Sequence, residues 1–217
     1  MTTDGISSAP PTGLRESKKQ ETRQLISDVA TILFLAQGFE RTTIAEIAAA
    51  ARVAKKTVTN YFARKEDLAL DHQDAFAASL AGTVTGRPAG ESALSALRRA
   101  FADAAADADP VAGFSGPDFA RMIADSPTLS ARLRDLHDLR EAALADALAD
   151  ATGAPRGDIT PRTAAALLGA VHRTLFQRIQ ELTLAGRENA EISAAVLAEA
   201  DSAFGLLEPS LADYAAA

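Results

Sequence analysis

Between Thr42 and Leu68 the chain sets Lys55, Lys56, Thr59 and Asn60 on the outer side of a short segment whose inner side is Thr57, Val58, Tyr61 and Phe62. Lysines neutralise phosphates, and hydroxyl, amide and phenol groups hydrogen-bond to phosphates or to base edges in the DNA major groove. Arg64 and Lys65 follow, ahead of Glu66 and Asp67, which places cationic donors beside a new helix N-terminus where a phosphate would bind. This is nucleic-acid-binding chemistry. By spacing alone, the same residues also suit a solvated pair of helices on an all-helical core.

The elements that must position these groups are short. Thr43 is a good N-cap and Glu46 lies three residues on, so hydroxyl and carboxylate can satisfy each other's backbone donors as a capping box. A helix starting at Ile44 then carries Ile47, Ala48 and Ala51 on one apolar face of no more than two turns. The pattern restarts after Arg52, and two helices so short and so closely joined read as helix-turn-helix.

Residues 18–68 resemble the DNA-binding domain of the tetracycline-repressor (TetR) family of one-component bacterial regulators. The resemblance is carried by Gln37-Gly38-Phe39 closing a long first helix, Thr42-Thr43-Ile44 opening the second, Ile47-Ala48 within it, Thr57 and Tyr61-Phe62 in the third, and Lys65-Glu66-Asp67-Leu68 opening the fourth. It implies a homeodomain-like three-helix module in which Thr43 and Lys65 bind phosphates. Lys55, Lys56, Thr57, Thr59, Asn60 and Tyr61 would lie at or near the groove, with Val53 and Phe62 in the core. Three positions depart from the family pattern. Arg52 stands where glycine is usual, and a non-glycine residue in a left-handed turn is strained. Ala54 replaces a capping serine or threonine, which typically costs about 1 kcal/mol. Thr59 replaces a large aromatic.

Composition agrees with a helical regulator. The chain has 217 residues, 47% of them hydrophobic but only 5% aromatic, with no Trp and abundant alanine, a balance that favours packed helices over sheets. The net charge of −7 is regional: residues 11–65 hold ten Lys or Arg against five Asp or Glu, a net of +5, so the rest carry −12. A basic module can face phosphates while an acidic one stays clear. The absence of cysteine excludes disulfides and thiolate chemistry. No apolar run reaches membrane-spanning length and the N-terminus lacks a basic start followed by an apolar stretch, so a soluble cytoplasmic protein is expected.

The expected fold is all-α with about nine helices, divided as an arm over residues 1–14, a DNA-binding domain over 15–64, a ligand-binding and dimerisation domain over 65–207, and a tail over 208–217. Helix one runs from Ser17 to Gln37 with Leu25, Val29, Ile32, Leu33 and Ala36 on its buried side. A fourth helix from Lys65 carries Leu68, Leu70, Phe76 and Leu80, and a break covers Gly82 to Gly90. Ser126-Pro127 and Thr160-Pro161 each place a capping hydroxyl before a proline at the first helical position. Leu168, Val171, Leu175, Ile179 and Leu182 form a stripe, and Ile192, Val196, Ala200 and Ala203 another. Together they suggest a four-helix homodimer interface, the alternative being burial within their own domain. A dimer would set two reading helices about 34 Å apart on a pseudo-palindromic operator.

A ligand site is expected among Phe101, Phe119, Met122, His137, His172, Arg173, Phe176 and Gln177, which mix apolar and polar groups on helices able to surround a cavity. Arg87-Pro88-Ala89-Gly90-Glu91 and Asp125-Ser126-Pro127 resemble a TetR subgroup associated with acyl-CoA-like ligands. That resemblance implies an acyl-CoA or fatty-acyl effector, with Arg121, Arg132, Arg134 and Arg140 as phosphate partners. No catalytic residue, cofactor or metal is expected: Gly113-Phe114-Ser115-Gly116 lacks the closing glycine of a nucleophile elbow, and His72, His137 and His172 are widely separated. The expected function is a repressor released from operator DNA by a small hydrophobic or acyl-CoA-like molecule. The alternative is a helical binding protein without sequence-specific DNA binding.

Overall fold

A computed structural model describes residues 12–216, with side chains from residue 16; the arm expected over residues 1–14 lies, as far as residue 11, outside the described residues. The described residues are all-α: eleven α-helices, one 3-10 turn and no strand. They form two compact units, divided between Asp71 and His72.

The first unit holds α1 (Thr12–Gln37), α2 (Ile44–Ala50), α3 (Lys55–Tyr61) and α4 (Glu66–Ala69). Helix α1 begins five residues before the expected Ser17, because beyond Pro11 nothing but Gly13, in the first turn, opposes a helix. Its buried face is also rotated from the expected one. Ile26, Ala30 and Phe34 are buried, whereas Leu25 is 49% and Ile32 66% exposed. Residues 25–36 are apolar nearly all round, so the face is chosen by tertiary partners. Phe34 meets Phe39 at 4.9 Å between ring centroids, and Ser27 donates to the Asp71 carboxylate at 2.7 Å. Ile47, Ala48 and Ala51 of the second helix and its C-cap, with Val58 and Phe62 at the third, complete this small core.

The second unit holds α5 (Gln73–Thr85), α6 (Ala93–Ala106), a 3-10 turn (Pro110–Ala112), α7 (Pro117–Asp125), α8 (Pro127–Thr152), α9 (Thr160–Leu184), α10 (Asn189–Gly205) and α11 (Glu208–Leu211). The helix expected to run unbroken from Lys65 is therefore two, α4 and α5, interrupted where Asp71 is drawn to Ser27. Gly82, which the sequence places in a break, lies inside α5, which ends at Thr85 with Gly86 as its C-cap. Helices α5 and α8 run along each other, α8 packs on α9, and α10 bridges α9 and α6 around a core that includes Leu97, Leu144, Leu168 and Phe204.

Ser126 caps α8 as expected, accepting from the Leu129 amide at 3.1 Å. Thr160 does not cap α9. It is the first helical residue, and Asp158 accepts from its amide at 2.8 Å, because a carboxylate two residues earlier reaches the orphan donor better. The two stripes expected to form a dimer interface are turned inward: Leu168, Leu175, Ile179, Ile192, Val196 and Ala200 are all buried in this chain's own core. Gly113 approaches α9 so closely, at a φ of 125°, that a Cβ would stand 3.2 Å from the Phe176 ring and 3.3 Å from its carbonyl oxygen. Residues 208–216, read from sequence as a tail, include α11, with Leu211 buried and the Tyr214 carbonyl accepting from Ala93.

Two buried histidines make the second unit acid-sensitive. Burial, helped by the nearby Arg140 charge, lowers the pKa of His137 to about 4 and that of His172 to about 3, from an ordinary value of 6.5. Between those values the unfolded chain binds protons that the folded one refuses, so stability falls as pH drops below about 6.5. Urea titrations at pH 7.5 and pH 5 should differ by on the order of 2 kcal/mol per histidine, and His172→Gln should remove its share.

Candidate nucleic-acid interface and internal cavity

In α2 the capping box is formed. The Thr43 hydroxyl accepts from the Glu46 amide at 3.2 Å, and the Glu46 carboxylate accepts from the Thr43 amide at 2.8 Å. These hydrogen bonds to Thr43 hold the Glu46 carboxyl below its ordinary pKa. The turn to α3 passes through Arg52 at a φ of 55°, the left-handed conformation that a glycine would take without strain. Ala54 stands at the N-cap of α3 with no side-chain hydrogen bond, so this helix starts uncapped.

Helix α3 buries Val58 fully and leaves Lys55, Lys56, Thr59 and Asn60 exposed, with Thr57 and Tyr61 half-buried at its edges. The Thr59 hydroxyl donates back to the Lys56 carbonyl at 3.1 Å. Phe62 is buried; Val53 is only half-buried. Beside the end of α3 a groove of about 290 Å³ is lined by Glu16, Lys19, Gln20, Arg23, Asn60 and Tyr61. Arg23 has a role the sequence reading missed. Its guanidinium donates to the Tyr61 carbonyl at 3.0 Å and stacks 4.4 Å over the Phe62 ring, fixing the C-terminus of α3 to α1. The residues are 38 apart in sequence, so only a long-range pairing could have revealed it.

Lys65 is placed otherwise than the sequence suggests. Its ammonium donates to the carbonyls of Phe39 at 2.9 Å, Thr42 at 3.1 Å and Glu40 at 3.4 Å, and it lies 4.2 Å from the Phe39 ring centroid. All three ammonium donors are thus directed at the turn between α1 and α2. Thr42, itself buried, donates to the Gly38 carbonyl at 2.9 Å in that same turn.

The expected ligand residues divide into three sets. Phe101 and His172 line a cavity of about 160 Å³ together with Ser79, Leu80, Thr83, Leu97 and Arg140 and with the loop residues Asp109 and Val111. His137 and Phe176 sit instead in a ring cluster with Phe76, at centroid distances of 5.0 to 5.8 Å. Phe119, Met122 and Arg173 do not line the cavity, and Arg173 is engaged by Asp138 at 3.1 Å and Glu141 at 3.6 Å. Of the four arginines suggested as phosphate partners only Arg140 reaches the cavity; Arg121 and Arg134 are exposed, and Arg132 donates to Gln73 at 2.6 Å. Arg87 donates to the carbonyls of Val84, Glu91 and Ala215, a structural clamp on the chain's end. No group of three or more metal-ligating side chains occurs among the described residues, and no described helix is long and apolar enough to cross a membrane.

Residues 26–71 match the tetR family of bacterial regulatory proteins. The chain is 42% identical over 89 residues to the HTH-type transcriptional regulator TcmR of Streptomyces glaucescens; the match spans 41% of this chain and only 39% of TcmR. Two solved structures are similar in fold. A SmeT–triclosan complex has a TM-score of 0.53 at 20% identity, over 85% of this chain and 91% of that one. A protein of Syntrophomonas wolfei assigned to the TetR-family transcriptional regulators has a TM-score of 0.55 at 20% identity, over 87% and 97%.

The Lys65 geometry gives a test. Lys65→Met removes three hydrogen bonds from a charged donor and should destabilise the first unit by about 2 kcal/mol. Ala54→Ser should stabilise it by about 1 kcal/mol by supplying the missing cap. Thermal melts of the full chain followed by circular dichroism would check both.

Proposed function

We propose that this chain, whose residues 26–71 match the tetR family of bacterial regulatory proteins, is a member of that family and a dimeric repressor that reads operator DNA with α3 and releases it on binding a small hydrophobic molecule. The observation that carries the reading is α3 itself. Seven residues long, it is held from behind by Val58, Phe62 and Arg23 while Lys55, Lys56, Thr59 and Asn60 remain exposed and together. Asn60 is the side chain suited to a bidentate contact with adenine, and the two lysines to phosphates. Thr43, its hydroxyl already in the capping box, would offer phosphate a partly occupied helix N-terminus.

Pairing of two copies would use the outward faces of α9 and α10, which expose Ala166, Leu167, Ala170, Thr174 and Leu184 on the one and Ala194 and Ala198 on the other. Such a pairing has a geometric reason, since twofold-related reading helices meet successive major grooves. The effector would occupy the cavity between α5, α6, α8 and α9. At about 160 Å³ it suits a compact ligand better than an acyl chain carrying a nucleotide headgroup. Its binding would favour a conformation with lower DNA affinity.

Selection of duplexes from a random pool by the full chain tests this reading. Recovery of a twofold-symmetric site supports it, and recovery of no preferred sequence favours a binding protein without operator recognition. On the selected site Lys56→Ala should weaken binding to all sequences alike, whereas Asn60→Ala should cost about 1–3 kcal/mol and relax preference at one position per half-site. Light scattering should give a dimer for the native chain and a monomer for the Leu167→Arg, Ala170→Arg double variant.

A further inference from the structure

Arg140 on α8 is only 6% exposed, yet among the described residues no carboxylate pairs with it. Its Nε donates to the Ser79 hydroxyl at 2.8 Å and its guanidinium stacks 4.5 Å from the Phe76 ring centroid. A guanidinium has five N–H donors in a fork that matches a carboxylate, and here the two terminal nitrogens have no acceptor among the described residues. Four other arginines of this unit behave differently. Arg98, Arg99, Arg173 and Arg178 all reach carboxylates, although each lies nearer the surface.

The groups around Arg140 leave its charge standing. Burial alone lowers its pKa to about 10, so it remains a cation at neutral pH. His137 and His172 are neutral there, their protonation opposed by burial and by the Arg140 charge itself. Asp109 is the one acidic residue lining the cavity, but its Oδ1 caps the 3-10 turn by accepting from the Val111 amide at 2.8 Å, and it contributes nothing to the pKa of Arg140. Asp138 and Glu141, on the same helix, are engaged by Arg173. A buried cation without an anion is costly. A second polar group lines the same cavity: Nε2 of His172 is buried with no partner among the described residues. Apart from Thr83, whose hydroxyl donates to the Ser79 carbonyl at 3.1 Å, the remaining walls, among them Leu80, Leu97, Phe101 and Val111, are apolar.

We propose that the cavity is an anion site for a compact organic carboxylate, with Arg140 pairing its charge and Leu80, Leu97, Phe101 and Val111 enclosing its apolar body. The assignment rests on the effector reading above and specifies the chemistry of that effector. A cavity of this volume takes a body of about the size of benzene, so benzoate and its neutral isostere benzamide are the probes.

Isothermal calorimetry on the full chain at pH 7.5 should show benzoate binding about ten- to a hundredfold more tightly than benzamide, the difference a charge-assisted pair supplies. Arg140→Leu should erase that difference without lowering the melting temperature of the ligand-free protein, and Arg140→Lys should keep part of it. Equal binding of the two probes, benzoate binding unchanged in Arg140→Leu, no benzoate binding at tens of millimolar, or a collapsed melting temperature in both variants would each overturn the proposal. Operator binding by the ligand-free chain separates the two readings. If it persists while benzoate fails to bind, the carboxylate site falls and the regulator stands. If benzoate binds through Arg140 but no DNA is recognised, the regulator falls and the site stands.

Discussion

A helix of seven residues does not persist alone in water, because nucleation costs more than two turns of hydrogen bonds return. Both α2 and α3 are that short, and α3 also lacks a side-chain cap and follows a strained left-handed arginine. The first unit is organised around this constraint. Ile47 and Val58 are fully buried, Arg23 ties the last carbonyl of α3 to α1, and the Lys65 ammonium gathers three carbonyls of the α1–α2 turn. Because the tethers all lie behind or beside α3, its outer residues are left free of structural duty, and a surface rich in lysine, hydroxyl and amide groups follows.

Local signals were legible in the sequence. The Thr43–Glu46 box and the Ser126 cap each join residues three positions apart, and the structure has both, as it has the left-handed backbone at Arg52 and the missing cap at Ala54 that the family resemblance implied. What depended on partners was not. The apolar run of α1 offered several possible faces, and Phe34 and Ser27 found their partners five and 44 residues away. The stripes on α9 and α10 stand out by their spacing, but periodicity does not say whether a stripe faces its own domain or another copy; Leu168, Ile179, Ile192 and Val196 face their own core and not the dimer interface expected of them. Lys65 carried a charge suited to phosphate, and only the path of the α1–α2 turn shows it engaged elsewhere.

The second unit follows a different logic. Its long helices are stabilised by a large apolar core, so it can hold polar groups that the core does not satisfy. His137 and His172 stay neutral, and Arg140 stays charged, within the same neighbourhood of Phe76, Phe101 and Phe176. Functional cavities commonly hold such groups at a cost in stability. Of the ligand residues expected from sequence, Phe101 and His172 reached the cavity, whereas Arg140, the most buried arginine suggested there, had been assigned to phosphate.

Whether α3 faces DNA is tested most directly by the salt dependence of binding. For a duplex carrying the chain's upstream sequence, the logarithm of the binding constant should fall linearly with the logarithm of salt concentration. At roughly physiological salt that duplex should bind at least about a thousandfold tighter than bulk DNA. Replacing Lys55 and Lys56 by alanine should flatten the slope by about one to two units per subunit. An unchanged slope in that variant, or equal affinity for the upstream duplex and bulk DNA, would contradict a DNA-facing α3.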